Sequence, residues 1–173
     1  MKQIIIIISI FFFITSCKSD DDLGTEEFFQ FETGKQLTIK TDETFEDLME
    51  VNVCEGDKTV FKYTFRDLGE EGLADSGSSE FIYFEIDSNL DSFEFNDEEL
   101  IDIQAIYKLS CFCDFEAISP FLIEIGTISG IKQDNGSWDI SINIVDKGSD
   151  TIVVNEVFSM GEPFSFCYGE EGY

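Results

Sequence analysis

The strongest constraint on the fold lies in Leu122–Val145, LIEIGTISGIKQDNGSWDISINIV. Ile140, Ile142 and Ile144 alternate with Asp139, Ser141 and Asn143, the period of a strand with one buried face. Just upstream, Asp134-Asn135-Gly136 is a turn cluster that reaches positive φ at low cost. The segment therefore predicts a β-hairpin. In its first strand Ile123 and Ile125 share one phase, Ile128 takes the other, and Ile131 returns to the first. Gly126 and Gly130 stand at those slips and predict bulges or bends. Such bends let a strand turn a barrel corner or change sheets.

Similar short segments recur along the chain. Leu37–Ile39, Val60–Arg66, Phe81–Asp87, Ser92–Asn96, Ile101–Leu109, Thr151–Phe158 and Phe164–Tyr168 all read as strands. Phe61, Tyr63 and Phe65 point one way; Lys62, Thr64 and Arg66 point the other. Phe81–Asp87 is apolar on nearly both faces, which predicts a central strand. Thr41–Glu50, with Thr41 or Asp42 as cap and Phe45, Leu48 and Met49 on one face, predicts a short helix. Asn96–Leu100 reads as a single helical turn, and Asp67–Glu80 as a Gly/Ser/acid loop. Roughly nine strands and at most one or two short helices make an all-β fold, an antiparallel β-sandwich or a lipocalin-like barrel. Pro120 and Pro163 are the only prolines, so charge must protect the sheet edges. No internal repeat or interdomain linker divides residues 28–173, which read as one β-rich domain.

The N-terminus carries the address. Lys2 precedes an apolar run, Ile4–Ile14, and Thr15-Ser16-Cys17 follows. That order is a secretory signal. The run is too short to span a bilayer, which needs about 20 apolar residues. Ile14-Thr15-Ser16-Cys17 resembles the lipobox of bacterial lipoproteins, with Ile where Leu is commoner. The resemblance implies a signal peptide over residues 1–16, cleavage before Cys17 and lipidation of its thiol. Lys18-Ser19-Asp20-Asp21-Asp22 resembles the acidic export signal of surface-exposed lipoproteins of the Bacteroidota. It implies an outer-membrane protein facing the cell exterior. Residues 17–27 are expected to form a flexible acidic tether.

The chain carries 37 Asp and Glu against 10 Lys and Arg, a formal charge of −27. That balance excludes nucleic acid as a partner. It also excludes lying flat on an anionic membrane, so the lipid is the expected membrane contact. Like-charge repulsion favours a monomer.

Cys54, Cys111, Cys113 and Cys167 form an even set in an exported chain, which predicts two disulfides. Cys111 and Cys113 on one face of a strand sit about 6.6 Å apart, too far to bridge each other. Each is therefore expected to pair with Cys54 or Cys167. A four-thiolate zinc site is the alternative, disfavoured by the tight C-x-C spacing and the oxidising compartment.

There is no His, which removes Ser–His and Cys–His catalysis and His-ligated metal. No Gly-rich phosphate loop opens a helix. The reading is a non-catalytic binding or accessory module with no cofactor and with an unknown protein or glycan ligand. Its alternatives are a small carboxylate-dependent hydrolase and an acidic inhibitor or immunity-type protein that neutralises a basic partner. Calcium is a further ligand possibility. Asp134, Asn135 and Asp139 offer oxygens around a tight turn, as do Asp87–Asp91 and Asn96–Glu99, though none matches the D-x-[DN]-x-[DN]-G loop. Turn chemistry accounts for the same residues. Trp138, the only Trp, is a candidate ligand contact, set against the commoner role of a Trp packed over a neighbouring strand.

Overall fold

A computed structural model of the chain describes residues 23–41, 49–72, 76–111, 120–146, 150–164 and 167. The described elements are β1 (Thr25–Thr41), β2 (Met49–Asp67), β3 (Ser78–Asp87), β4 (Ser92–Asn96), α1 (Glu99–Asp102), β5 (Ile106–Cys111), β6 (Phe121–Leu122), β7 (Gly126–Lys132), β8 (Trp138–Val145) and β9 (Thr151–Phe158). They form two antiparallel sheets, β1-β2-β3-β5-β6 and β4-β7-β8-β9, stacked as a sandwich with no closed barrel.

Alternation dictates the main core. Phe31, Phe61, Tyr63, Ile82, Phe84 and Tyr107 from the first sheet meet Phe93, Ile128, Trp138, Ile140, Ile142, Ile144 and Phe158 from the second. Phe61 sits at the centre. Its ring stacks on Phe84 at 4.7 Å and meets Trp138 edge-on at 5.5 Å. The strand read as central, Phe81–Asp87, is β3, the middle strand of its sheet. Residues 82 to 86 are all buried because the main core covers one face and a second cluster covers the other.

That second cluster was not apparent in the strand pattern. Pairing of β1 with β2 slips between Thr33 and Gln36, where Lys35 lies opposite both Glu55 and Lys58. Past the slip, Leu37, Val51 and Val53 pack on Val60, Tyr83 and Ile106. In register, Val60, Tyr83 and Ile106 lie on the face opposite Phe61 and Phe84. The distal half of the hairpin thus folds over the outside of the first sheet.

Several expectations are corrected. Thr25–Glu27, assigned to the tether, are paired in β1 with Asp67, Arg66 and Phe65. The acids are accommodated because Glu26 and Glu27 are exposed, and Glu26 lies 3.8 Å from Arg66. Ile101, read as strand, belongs to α1 and is exposed, while Leu100 and Ile103 are buried. The i, i+3 spacing of a helical turn selects that pair. Of the helix expected over Thr41–Glu50, Thr41, Met49 and Glu50 are strand; residues 42–48 lie outside the described residues. Phe164 lies outside the described strands, and most of the remaining Phe164–Tyr168 segment falls outside the described residues.

The hairpin forms as β7 and β8, in register from Gly126↔Ile144 to Lys132↔Trp138. Gly126 is the expected bend. Its φ is +134°, and the chain crosses there from the first sheet to the second. Gly130 is no bulge; it stays in register between Phe93 and Ile140. A Cβ there would lie 2.6 Å from both side chains. Glycine is required by packing, which a phase count along one strand does not reveal.

Candidate outer-face binding site

The sandwich has two outer faces, and the chain covers one of them itself. The folded hairpin lies over part of the first sheet. The C-terminal segment covers more. Phe164 packs against the second cluster, and its amide donates to a Glu32 carboxylate oxygen. Cys54 and Cys167 are joined in a disulfide that ties hairpin to tail. This overturns the expectation that each of these cysteines pairs with Cys111 or Cys113. A tail returning across 113 residues of sequence has no signature in local spacing. Cys111 is disulfide-bonded as well, and Cys113 lies outside the described residues.

Beneath the tail, the Lys62 amine lies 5.3 Å from the Phe164 ring, 5.5 Å from Phe81 and 5.9 Å from Tyr83. Desolvation lowers its pKa, repulsion from Arg66 and Lys108 adds to the fall, and Glu32 opposes it. Burial pushes the Tyr83 hydroxyl up to about 12. These are the marks of a face closed to solvent by its own chain. Neither Lys62 nor its aromatic neighbours stood out in the sequence. The only signal was a Lys flanked by aromatics at alternate positions, a pattern shared by any amphipathic strand.

Among the described residues nothing covers the outer face of β4-β7-β8-β9. Register sets its side chains in rows across four strands. One row is Ser92, Ile131, Asp139 and Val157. The next is Glu94, Ser129, Ser141 and Asn155. Together they line a trough of about 710 Å³. Small side chains at Ser129 and Ser141 leave the depression. The Ser141 hydroxyl donates to Asn155 Oδ1 at 2.6 Å, which orients the amide. Ile131, Val153 and Val157 are 60%, 61% and 53% exposed, so the face is amphipathic. Its acids are Glu94 and Asp139, with Glu156 on the adjoining edge of β9.

The residues singled out in the sequence are dispersed. Trp138 is buried, wedged between Phe61 and Phe93 with Lys132 over its ring; its role is in the core rather than at a ligand. Asn135 Oδ1 accepts from the Ser137 amide and hydroxyl, closing the turn. Asp139 Oδ2 accepts from Gln133 Nε2 at 2.7 Å. Asp134 is exposed on the turn. In the other two acidic turns, Asp87 pairs with Lys58, Asp97 Oδ1 accepts from the Gly126 amide, and Glu99 Oε2 from the Asn96 amide. These oxygens act as turn and strand acceptors. Among the described residues no three Asp, Glu or Cys side chains converge as a metal cage would require. Cys17 and Lys18–Asp22 lie outside the described residues.

The chain matches no protein-family model, no curated protein and no solved structure.

Proposed function

We propose that the protein is a non-catalytic binding or accessory module, held by lipid at Cys17 on the outer membrane and displayed to the cell exterior. The observation that carries the binding role is the asymmetry of the two outer faces. One is occupied by the folded hairpin and the tail, while the other presents an amphipathic trough. The address rests on Ile14–Cys17 and on the acidic run Lys18–Asp22. The Leu23 amide already bonds Gly69, and Leu68 bonds Gly24. The tether left from Cys17 reaches at most about 20 Å when extended. It would keep the Thr25–Asp67 end of the sandwich close to the lipid.

Surface labelling of intact cells, run with a Cys17→Ala form, tests the reading. The expected result is a labelled, membrane-bound wild type and a soluble variant. A wild type shielded from the label refutes display. A variant that remains with the membrane refutes anchoring through Cys17.

A further inference from the structure

We infer that the free edge of β9 takes up an extended, basic segment of another protein as an added strand. The inference deepens the binding role above and rests on it. Among the described residues β9 pairs along its length on one side only, with β8. The other partner found among the described residues lies past its end, where Ser159 exchanges backbone hydrogen bonds with Phe29 and Phe31. Among the described residues, the outer edge from Thr151 to Val157 has no strand partner.

An unpaired strand edge displays a row of amide donors and carbonyl acceptors that templates another strand. Proteins blunt such edges with proline, charge, bulges or short length. The other edges here are blunted. β4 has five residues and α1 follows it closely; β6 has two residues; β1 carries Glu26, Glu27, Lys35 and Lys40 and a register slip. β9 has eight residues, regular register, no proline and one charge, Glu156. Its outward residues Val153 and Val157 are more than half exposed.

Charge selects the occupant. A second copy would bring another −27 against the first. Glu156 forms no ion pair among the described residues; it lies opposite Ile140, in the strand phase opposite that of the outward Asp139 and Glu94, so it is the one acid that an added strand meets on that side. A segment with apolar side chains beside Val153 and Val157, and Lys or Arg beside Glu156, satisfies both the backbone edge and the field.

The test uses the full chain in detergent and a blocked seven-residue peptide of alternating Lys and Val. Two derivatives carry N-methyl groups on every second amide, one in each register. Binding is read by anisotropy, and hydrogen exchange locates it. The expected result is binding that slows exchange of β9 amides at least tenfold. One N-methyl register should lose at least tenfold in affinity and the other less than threefold, because only alternate amides face the added edge. Val153→Lys with Val157→Lys should weaken binding at least tenfold, with the Trp138 emission confirming the fold. Equal binding by both N-methyl registers, protection away from β9, no binding, or a peptide-free dimer sealed through β9 each overturns the inference. None of these outcomes bears on display through Cys17, which the cell-labelling experiment decides separately.

Discussion

The Leu37 amide donates to a Glu85 carboxylate oxygen 2.6 Å away, joining the folded-over hairpin to the central strand. Gln104 Nε2 reaches the other oxygen at 3.3 Å. Glu85 is 7% exposed, an uncommon place for a carboxylate. Desolvation raises its pKa above the usual 4.5; the Leu37 bond and Lys58 pull it back, while Asp57 and Asp87 add to the rise.

The sign of the pH effect follows. A raised folded-state pKa means that the fold prefers the protonated carboxyl. That stabilisation is complete below the ordinary carboxylate value and is lost as pH rises through the raised one. Glu85→Gln places a neutral acceptor for Leu37 at every pH. Its denaturation midpoint should exceed that of wild type at pH 7, and the two should converge near pH 4. Glu85→Ala instead orphans the Leu37 amide and should cost about 1–3 kcal/mol. Urea titrations across that pH range check both. A Gln variant less stable than wild type at pH 7 contradicts the assignment.

The Cys54–Cys167 disulfide closes a 113-residue separation. In the chain-entropy model a loop of that order contributes about 4–5 kcal/mol. Cys54→Ser with Cys167→Ser should lower stability by up to that amount. Phe164 should lose its seat over Lys62, and limited proteolysis should then clip the chain beyond Phe158 before the sandwich unfolds. Mass spectrometry of the digest reads the site. A first cut within β1 to β9 would show that the tail is not held by this link.

Gly126 and Gly130 differ in what an added methyl would meet. At Gly126 it faces backbone, Asn143 O at 2.3 Å and Ile144 Cα at 2.6 Å, at a φ of +134°. At Gly130 it faces only the side chains of Phe93 and Ile140. Gly130→Ala should cost about 1–3 kcal/mol by overpacking. Gly126→Ala should cost more, since backbone cannot turn aside and the conformation suits only glycine. Phe93→Leu should recover part of the Gly130→Ala loss and none of the Gly126→Ala loss. Equal recovery at both positions would refute the distinction.

Which parts of this fold could be read from sequence follows from the range of the interactions involved. Ile140, Ile142 and Ile144 declared their face because one side of β8 is buried and the other is wet. Phe81–Asp87 declared a central strand because both faces are covered. Ile101 misled, since one helical turn and one strand step place apolar residues at overlapping positions. The Cys54–Cys167 link and the Glu85–Leu37 bond join segments that no local period relates. The trough shares that character. Asp139, Ser141 and Asn143 were legible as a polar face, but their neighbours Glu94 and Asn155 arrive through sheet order. Asp134, Asn135 and Asp139 drew attention by ligand chemistry, but the turn uses the Asn135 and Asp139 oxygens as acceptors for its own amides, and Asp134 is exposed.

Phe61 is fully buried and within 6.0 Å of the rings of Phe31, Phe84, Phe93, Trp138 and Phe158. Its removal leaves a cavity between both sheets, so Phe61→Ala should cost about 3–5 kcal/mol. Phe65 is four residues further along the same face and only half-buried, so Phe65→Ala should cost less. The single Trp makes the comparison direct. Trp138 packs edge-on against Phe61, and its emission should shift to the red in Phe61→Ala while staying near wild type in Phe65→Ala. Guanidinium titrations followed by that emission give both stabilities. If Phe65→Ala proved as costly, the weight of the core would lie toward the Thr25 end of β1 and β2 rather than over Trp138.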